Sequence, residues 1–311
     1  MLLKVGVSLS LLALLLWRTD RSGLVKLLFS LDLPFFSTAV LLYLLGQAMC
    51  TYRWQTLLEA EGIRMPYLKL VGFYFEGMFF NLFLPTLIGG DVVKGHHIYQ
   101  YTAGKEASLA SILVDRLTGL TSLLGIALLA LFLGGPSLRD PAVTWPILGT
   151  AFAFAVGCVA VLHPRLKPFF EKLPWGRFAE KVLGFYQALQ RYRGHRKALG
   201  QAVALSVVFQ AMVIYSYYLI AKALGLTVPL GPFFLLVPVV IVIAMIPVSL
   251  GGLGIREGAV IYLFGKVGVE STSALAMSLT WFLLVILASL PGGLLFALQD
   301  HQRKAADRHL G

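Results

Sequence analysis

The sequence predicts an all-α polytopic membrane protein, with about six full spans and two inverted re-entrant hairpins built from broken helices. Three observations carry this expectation. The 311 residues are 58% hydrophobic and only 13% charged, with a mean hydropathy of +0.80, roughly half the charge of an ordinary soluble domain. The apolar residues gather in long runs, with the basic residues between them. Two of these runs are interrupted by the same pattern: a proline, two glycines four and five positions later, and a basic residue nine positions later. The first copy uses Pro85, Gly89, Gly90 and Lys94, the second Pro247, Gly251, Gly252 and Arg256.

Taken in order, the apolar runs lie near Leu2 to Trp17, Phe35 to Cys50, Leu68 to Gly90, Ser108 to Gly135, Val143 to Leu162, Gln201 to Leu226, Val228 to Gly254 and Ser271 to Leu298. Most reach the roughly 20 residues that cross a bilayer core. The first begins like a secretory signal, but no small-residue cleavage site follows it, so it is expected to stay as a first helix. No Gly/Ser linker or low-complexity tract divides the chain. One transmembrane domain over residues 1–311 is the expectation, with a first repeat over about 35–135 and a second over about 201–298.

The segment 163–199 sets the orientation. It carries Arg165, Lys167, Lys172, Arg177, Lys181, Arg191, Arg193, Arg196 and Lys197 against Glu171 and Glu180, an imbalance typical of cytoplasmic loops. Leu173, Phe178, Val182, Phe185, Leu189 and Tyr192 recur there at helical spacing. The pattern predicts an amphipathic helix lying on the anionic lipids of the inner leaflet. The tail 299–311, with Arg303, Lys304 and Arg308, is expected on the same side. With both anchors cytoplasmic, the stretch between Thr227 and Ser271 must enter and leave from the outer side, as a re-entrant hairpin with Gly251 and Gly252 at its tip. Residues 68–94 fit the inverted counterpart, and the side of the N-terminus stays open because the first two loops are about equally basic. Multi-pass insertion in the cytoplasmic (plasma) membrane is the expected location.

Charge and cysteine content exclude several function classes. The net charge of +11 would suggest nucleic acid in a soluble chain, but basic residues between apolar runs point to anionic lipid and not to nucleic acid. Cys50 and Cys158 are the only cysteines, too few for a disulfide framework or a thiolate metal site. The histidines, His96 and His97 among them, lack metal-ligand spacing, and neither a phosphate-binding loop nor a dinucleotide fingerprint in its proper context is present. No metal, no cofactor and no catalytic residue is expected. Asn81 is the single asparagine, a scarcity that suits a heat-adapted protein.

Paired breaks in two halves of a membrane chain point to a transport site, because non-helical backbone at membrane depth survives only where protein buries it or it lines a cavity. Ionisable residues within apolar sequence are the candidate substrate groups, since each is expensive to place there. They are Asp91, Lys94, Arg256 and Glu257 at the breaks, with Glu76, Asp115 and Arg116 in the helical runs and Asn81 ahead of the first break. Arg256 leads, because a guanidinium holds a phosphate with two parallel hydrogen bonds. Lys94 has the matching role in the first hairpin. Asp91 and Glu257 either neutralise these cations in the empty site or meet a cationic headgroup. For Asp115 and Arg116 the competing expectation is an interfacial pair at a helix start, and for Glu76 a protonated core carboxyl.

The ordered motifs Phe79 to Pro85 leading into Gly89 to Lys94, then Asp115-Arg116-Leu117, then Pro247 to Gly258 resemble the membrane region of lysylphosphatidylglycerol synthases, the flippase domain of the multiple peptide resistance factors. The resemblance covers roughly residues 35–298. It implies translocation of a polar-headgroup lipid between leaflets: an anionic or aminoacylated phospholipid, or a polyprenyl-linked lipid. The sequence given ends at Gly311 without a soluble aminoacyl-transferase domain, so a stand-alone form that does not synthesise lysyl-lipid, and is not an enzyme, is expected. The rival class is a membrane-embedded transferase, or its accessory subunit, acting on a lipid-linked sugar or headgroup.

Overall fold

The computed structural model describes residues 2–83, 89–101, 105–133, 141–162, 186–246 and 249–310. Among them every regular element is helical: α1 (Leu2–Arg18), α2 (Arg21–Phe29), α3 (Leu33–Ala60), α4 (Tyr67–Phe83), α5 (Gly89–Tyr101), α6 (Lys105–Leu133), α7 (Pro141–Leu162), α8 (Arg196–Ala223), α9 (Leu230–Ala244), α10 (Ile255–Gly265) and α11 (Ser271–Leu310). Residues 186–191 are also helical and run into a 3-10 turn, Tyr192–Gly194, and a second 3-10 turn, Leu250–Gly252, precedes α10.

Four stretches are long and apolar enough to cross a membrane: Leu33–Ala60, Ala107–Leu133, Arg196–Ala223 and Ser271–Leu298. At 27 or 28 residues each they measure about 40 Å, longer than the roughly 30 Å hydrocarbon core. Shorter apolar helical stretches are Gly6–Trp17, Val143–Val159 and Leu230–Ala244. The protein is thus a multi-pass helical membrane protein, with four clear spans where about six were expected. The other two expected spans, the first and fifth apolar runs, carry only the shorter apolar stretches Gly6–Trp17 and Val143–Val159, while the runs 68–90 and 228–254, expected as hairpins, are interrupted before Gly89 and after Ala244. Pro85 and Pro247, which open the repeated pattern, lie outside the described residues.

The chain divides into two compact units assembled from interleaved segments. The first comprises Met1–Ala48, Leu68–Lys94 and Met212–Gly311, the second Met49–Tyr67 and Gly95–Ala211. In the first unit α9 is buried on nearly every side, through Phe233, Leu235, Leu236, Val237, Val239 and Val240. A helix apolar all round belongs inside a protein or a membrane, and here it packs on α10, which packs in turn on α11 and α1. Edge-to-face rings lock this layer, with Phe233 and Phe264 centroids 5.1 Å apart and Tyr218 and Phe233 5.6 Å apart. Beside them Tyr217 stacks on Trp281 at 4.0 Å.

Glycines bring other backbones of this unit into direct contact. A Cβ added to Gly292 of α11 would lie 2.0 Å from the Phe75 carbonyl oxygen of α4, and one on Gly90 of α5 would lie 2.0 Å from the Gly77 carbonyl oxygen. Helices in lipid lack a hydrophobic drive toward each other, so close approach through small residues supplies the van der Waals contact that holds them.

In the second unit α3 continues past the apolar run that ends at Cys50, because Cys50, Trp54, Leu57 and Leu58 keep a buried face at helical spacing. Arg53, which follows the apolar run, therefore sits within a helix. The basic segment also differs from expectation over its described end. Residues 163–185 lie outside the described residues, but Leu189 and Tyr192 bury against Leu57, Ala110, Val114 and Ala202 instead of facing a lipid surface. The Tyr192 hydroxyl donates to the Leu57 carbonyl oxygen at 2.9 Å. Burial, above all, raises its pKa and keeps that donor protonated. Arg191 clamps Glu61 through Nε and Nη2, at 2.9 and 2.7 Å.

Replacing Gly292 by Ala should force α11 away from α4 and cost about 1–3 kcal/mol or more, read as a lower midpoint of thermal unfolding in detergent. Gly157→Ala in α7, where nothing lies within 4 Å, should be neutral or stabilising by up to about 1 kcal/mol. Equal behaviour of the two variants would show that the α4–α11 approach is not close.

Candidate functional site

The second break is built by three glycines with left-handed backbone: Gly251 at φ 58°, Gly252 at φ 81° and Gly254 at φ 85°. L side chains rarely adopt this region. At Gly254 a Cβ would also stand 2.6 Å from Leu11 Cβ of α1. Helix α10 starts at the next residue, so the Gly254 amide is one of the orphan donors of a helix start. Glu257, three positions on, reaches back and accepts from it through Oε2 at 2.6 Å. This is half of a capping box, Gly254 having no side chain with which to reciprocate.

The other carboxylate oxygen of Glu257 is equally engaged. Oε1 accepts from Arg256 Nε at 3.0 Å, from Arg256 Nη2 at 2.5 Å and from the Ser278 hydroxyl of α11 at 3.1 Å. Arg256 Nε is also 3.3 Å from Ser278 Oγ, and its guanidinium carbon lies 5.2 Å from the centroid of the Phe282 ring. Glu257 is wholly buried and Arg256 is 8% exposed. A buried pair of opposite charges needs good geometry and further hydrogen bonds to offset desolvation, and Ser278 with the Gly254 amide provides them. The Arg256 Nη1 amino group meets no acceptor among the described residues.

The first break has a related construction in the same unit. Gly89 is the first residue of α5, and Asn81, near the end of α4, accepts the Gly90 amide through Oδ1 at 2.7 Å. Asp91 follows in the first turn, where the positive end of the helix dipole favours an anion. Lys94 Nζ lies 2.9 Å from Asp91 Oδ1 and 4.5 Å from the Tyr74 ring centroid, with both charged groups buried. Glu76 is fully buried on α4 beside Gly77, whose absent Cβ leaves room for the Gly90 carbonyl oxygen and Lys94 Cγ. The first unit thus holds Glu76, Asn81, Gly89, Gly90, Asp91, Lys94, Gly251, Gly252, Arg256 and Glu257, and it supplies Ser278, which was not expected.

Asp115 and Arg116 fall in the second unit. Asp115 does not make an interfacial pair with its neighbour in sequence: its Oδ1 accepts from Arg53 Nε at 2.7 Å, with both side chains about 5% exposed. Arg53 Nη1 donates to Ser206 Oγ of α8 at 2.7 Å, which ties α3, α6 and α8 together. The signal for Arg53 was the buried spacing Cys50, Trp54, Leu57, which carries helix beyond the end of the apolar run. At the surface His96 Nε2 meets Gln100 Nε2 at 3.0 Å, and among the described residues no group of three or more His, Cys, Asp or Glu is placed to hold a metal ion.

The two units therefore present two kinds of buried charge. The Arg53–Asp115 pair is closed, cross-linking three helices. The Arg256–Glu257–Ser278 cluster sits at a helix break and keeps donors in reserve, as a site for an anionic group would. Comparison with known proteins agrees with a membrane role. A family model described as lysylphosphatidylglycerol synthase TM region matches residues 1–292. The chain is 27% identical over 307 residues to a UPF0104 membrane protein of Pyrococcus horikoshii, with 90% of each chain covered.

Arg53→Met should leave a buried, unpartnered carboxylate and destabilise by about 3–5 kcal/mol, whereas Arg53→Met with Asp115→Leu should recover most of that loss. Thermal unfolding of the two variants beside the wild type is the check. A neutral single substitution would show that the pair is solvated.

Proposed function

This chain belongs to the family of the lysylphosphatidylglycerol synthase TM region, and on that premise we propose that it is a lipid flippase that carries a phosphate-bearing headgroup between leaflets. Membership gives it a lipid-related membrane role. The finer assignment draws its support from one observation above the rest: a buried guanidinium, Arg256, stands at a helix break with only part of its hydrogen-bonding capacity used. An intramembrane charge of this kind marks a substrate pathway.

Helix lengths support the hairpins. The basic residues ahead of α8 and those at the end of α11 place these two ends on the cytoplasmic side by charge. The chain between α8 and α11 then begins and ends outside. Its helices α9 and α10, of 15 and 11 residues, are about 22 and 16 Å long. Each is too short to span the core, and together they make a re-entrant hairpin with the glycine turn at its tip. Helices α4 and α5 make its inverted counterpart. The protein lies in the cytoplasmic membrane with its C-terminus inside and works as a transporter, not an enzyme. The headgroup passes from Lys94 to Arg256 through a polar path while the acyl chains stay in lipid, which avoids exposing its charge to hydrocarbon. The excess of basic residues in the sequence 163–199 suits anionic inner-leaflet lipids as partners.

The test is a dithionite-quenching assay on proteoliposomes carrying acyl-labelled phosphatidylglycerol. Arg256→Ala alone strands the Glu257 carboxylate and should destabilise by about 3–5 kcal/mol, so the informative variant is Arg256→Gln with Glu257→Gln, which leaves no buried net charge. It should fold and move lipid at least about tenfold more slowly than wild type, with Arg256→Lys intermediate because a point charge lacks the bidentate fork. A well-folded double variant with an unchanged rate would remove Arg256 from the path.

A further inference from the structure

Glu257 holds the position that a ligand phosphate would take. One oxygen receives the two N–H groups of the Arg256 fork and the Ser278 hydroxyl, and the other receives the Gly254 amide at the start of α10. The carboxylate is an internal substitute for an anionic headgroup. A phosphate that engages the same fork must displace it, and the displaced carboxylate has few alternatives. It is fully buried, and the elements packed on α10, which are α9, α11 and α1, bring it no other charged group among the described side chains. On α10 itself the other titratable groups are Arg256 and Tyr262. From α8, Tyr217 is the titratable side chain whose field reaches both Arg256 and Glu257. A buried carboxylate deprived of its cation is costly as an anion and becomes neutral by taking up a proton.

We infer that Glu257 couples lipid movement to protons, one proton travelling with each anionic headgroup in the same direction. This inference rests on the flippase reading of the same site. The step balances as follows. On binding, the phosphate anion replaces the carboxylate on Arg256, which stays protonated throughout, and Glu257 takes a proton from water on the side of entry. On release at the other leaflet the phosphate departs, Glu257 returns its proton to water there, and the carboxylate closes again on Arg256. Charge in the buried site is conserved at each stage, and a monoanionic lipid crosses without net charge movement. A pH gradient therefore drives the headgroup toward the alkaline side.

The experiment uses full-length protein in vesicles of phosphatidylcholine containing a trace of acyl-labelled phosphatidylglycerol, with the two faces buffered at different pH. Wild-type protein should concentrate the labelled lipid in the leaflet facing the alkaline buffer, by up to about tenfold per pH unit for one proton per lipid, and the asymmetry should reverse with the gradient. Lipid that moves quickly but settles equally in both leaflets at either gradient overturns the coupling and leaves the flippase reading intact. Protein that moves neither this lipid nor labelled phosphatidic acid overturns both. The Glu257→Gln variant, left with an unpaired Arg256, should bind short-chain phosphatidylglycerol more tightly than wild type, without proton uptake and without gradient-driven asymmetry. The same asymmetry in this variant as in wild type overturns the role of Glu257. Should it fail to fold, proton uptake by wild-type protein in weakly buffered micelles decides: about one proton per short-chain lipid bound is expected, and binding with no uptake overturns the inference.

Discussion

A helix broken inside an apolar environment must find partners for the amides it exposes, and the interaction on which this protein's broken helix depends is the Glu257 carboxylate. One side chain accepts the Gly254 amide, neutralises Arg256 and fixes Ser278 of α11. Without it the turn through Gly251 and Gly252 would leave an unsatisfied donor and a buried cation at the same point, each costing several kcal/mol in hydrocarbon. Arg256 is needed in the same way, for it keeps the buried acid from being an isolated charge. The residues proposed to bind an anion are thus also those that hold the break closed.

Around this point the unit relies on contact where side chains are smallest and on aromatic packing where they are largest. Tyr217 and Tyr43 meet Trp281, and Phe233 meets Phe264. The α4–α5 break repeats the principle with different donors and acceptors: Asn81 serves the Gly90 amide, and Asp91 serves Lys94. Each break thus has an acceptor for an exposed amide and an acid for its cation, although the two sequences share only the proline, the glycine pair and the spacing to the basic residue.

Helix content, membrane insertion, the glycine turn at 251 to 254 and the adjacency of Arg256 to Glu257 were legible in the sequence, because each follows from local composition or from neighbours in the chain. Arg53 was not. Its partner Asp115 is 62 positions away, and the apolar run ends at Cys50, which leaves Arg53 just beyond what hydropathy marks. Ser278 and Ser206 were hidden for a similar reason: a serine in an apolar helix carries no signal until a charged group from another helix comes within reach. The amphipathic pattern at Leu189 and Tyr192 was legible as a buried face, but periodicity does not distinguish protein from lipid as the surface that covers it. The number of clear spans is lower than the number of apolar runs suggests because the first and fifth runs carry apolar helical stretches, Gly6–Trp17 and Val143–Val159, shorter than the four clear spans.

The glycine contacts have a mechanical consequence. Where Gly292 meets the Phe75 carbonyl oxygen and Gly90 meets Gly77, backbone lies on backbone, with no side-chain rotamers between to absorb sliding. Such junctions hold α4, the start of α5 and the middle of α11 in direct backbone contact. The loop through Gly251, Gly252 and Gly254 is the opposite kind of joint, three permissive residues within four positions between helices of modest length. The backbone freedom of this unit is therefore gathered at that turn, beside a frame whose close packing comes from the absence of side chains.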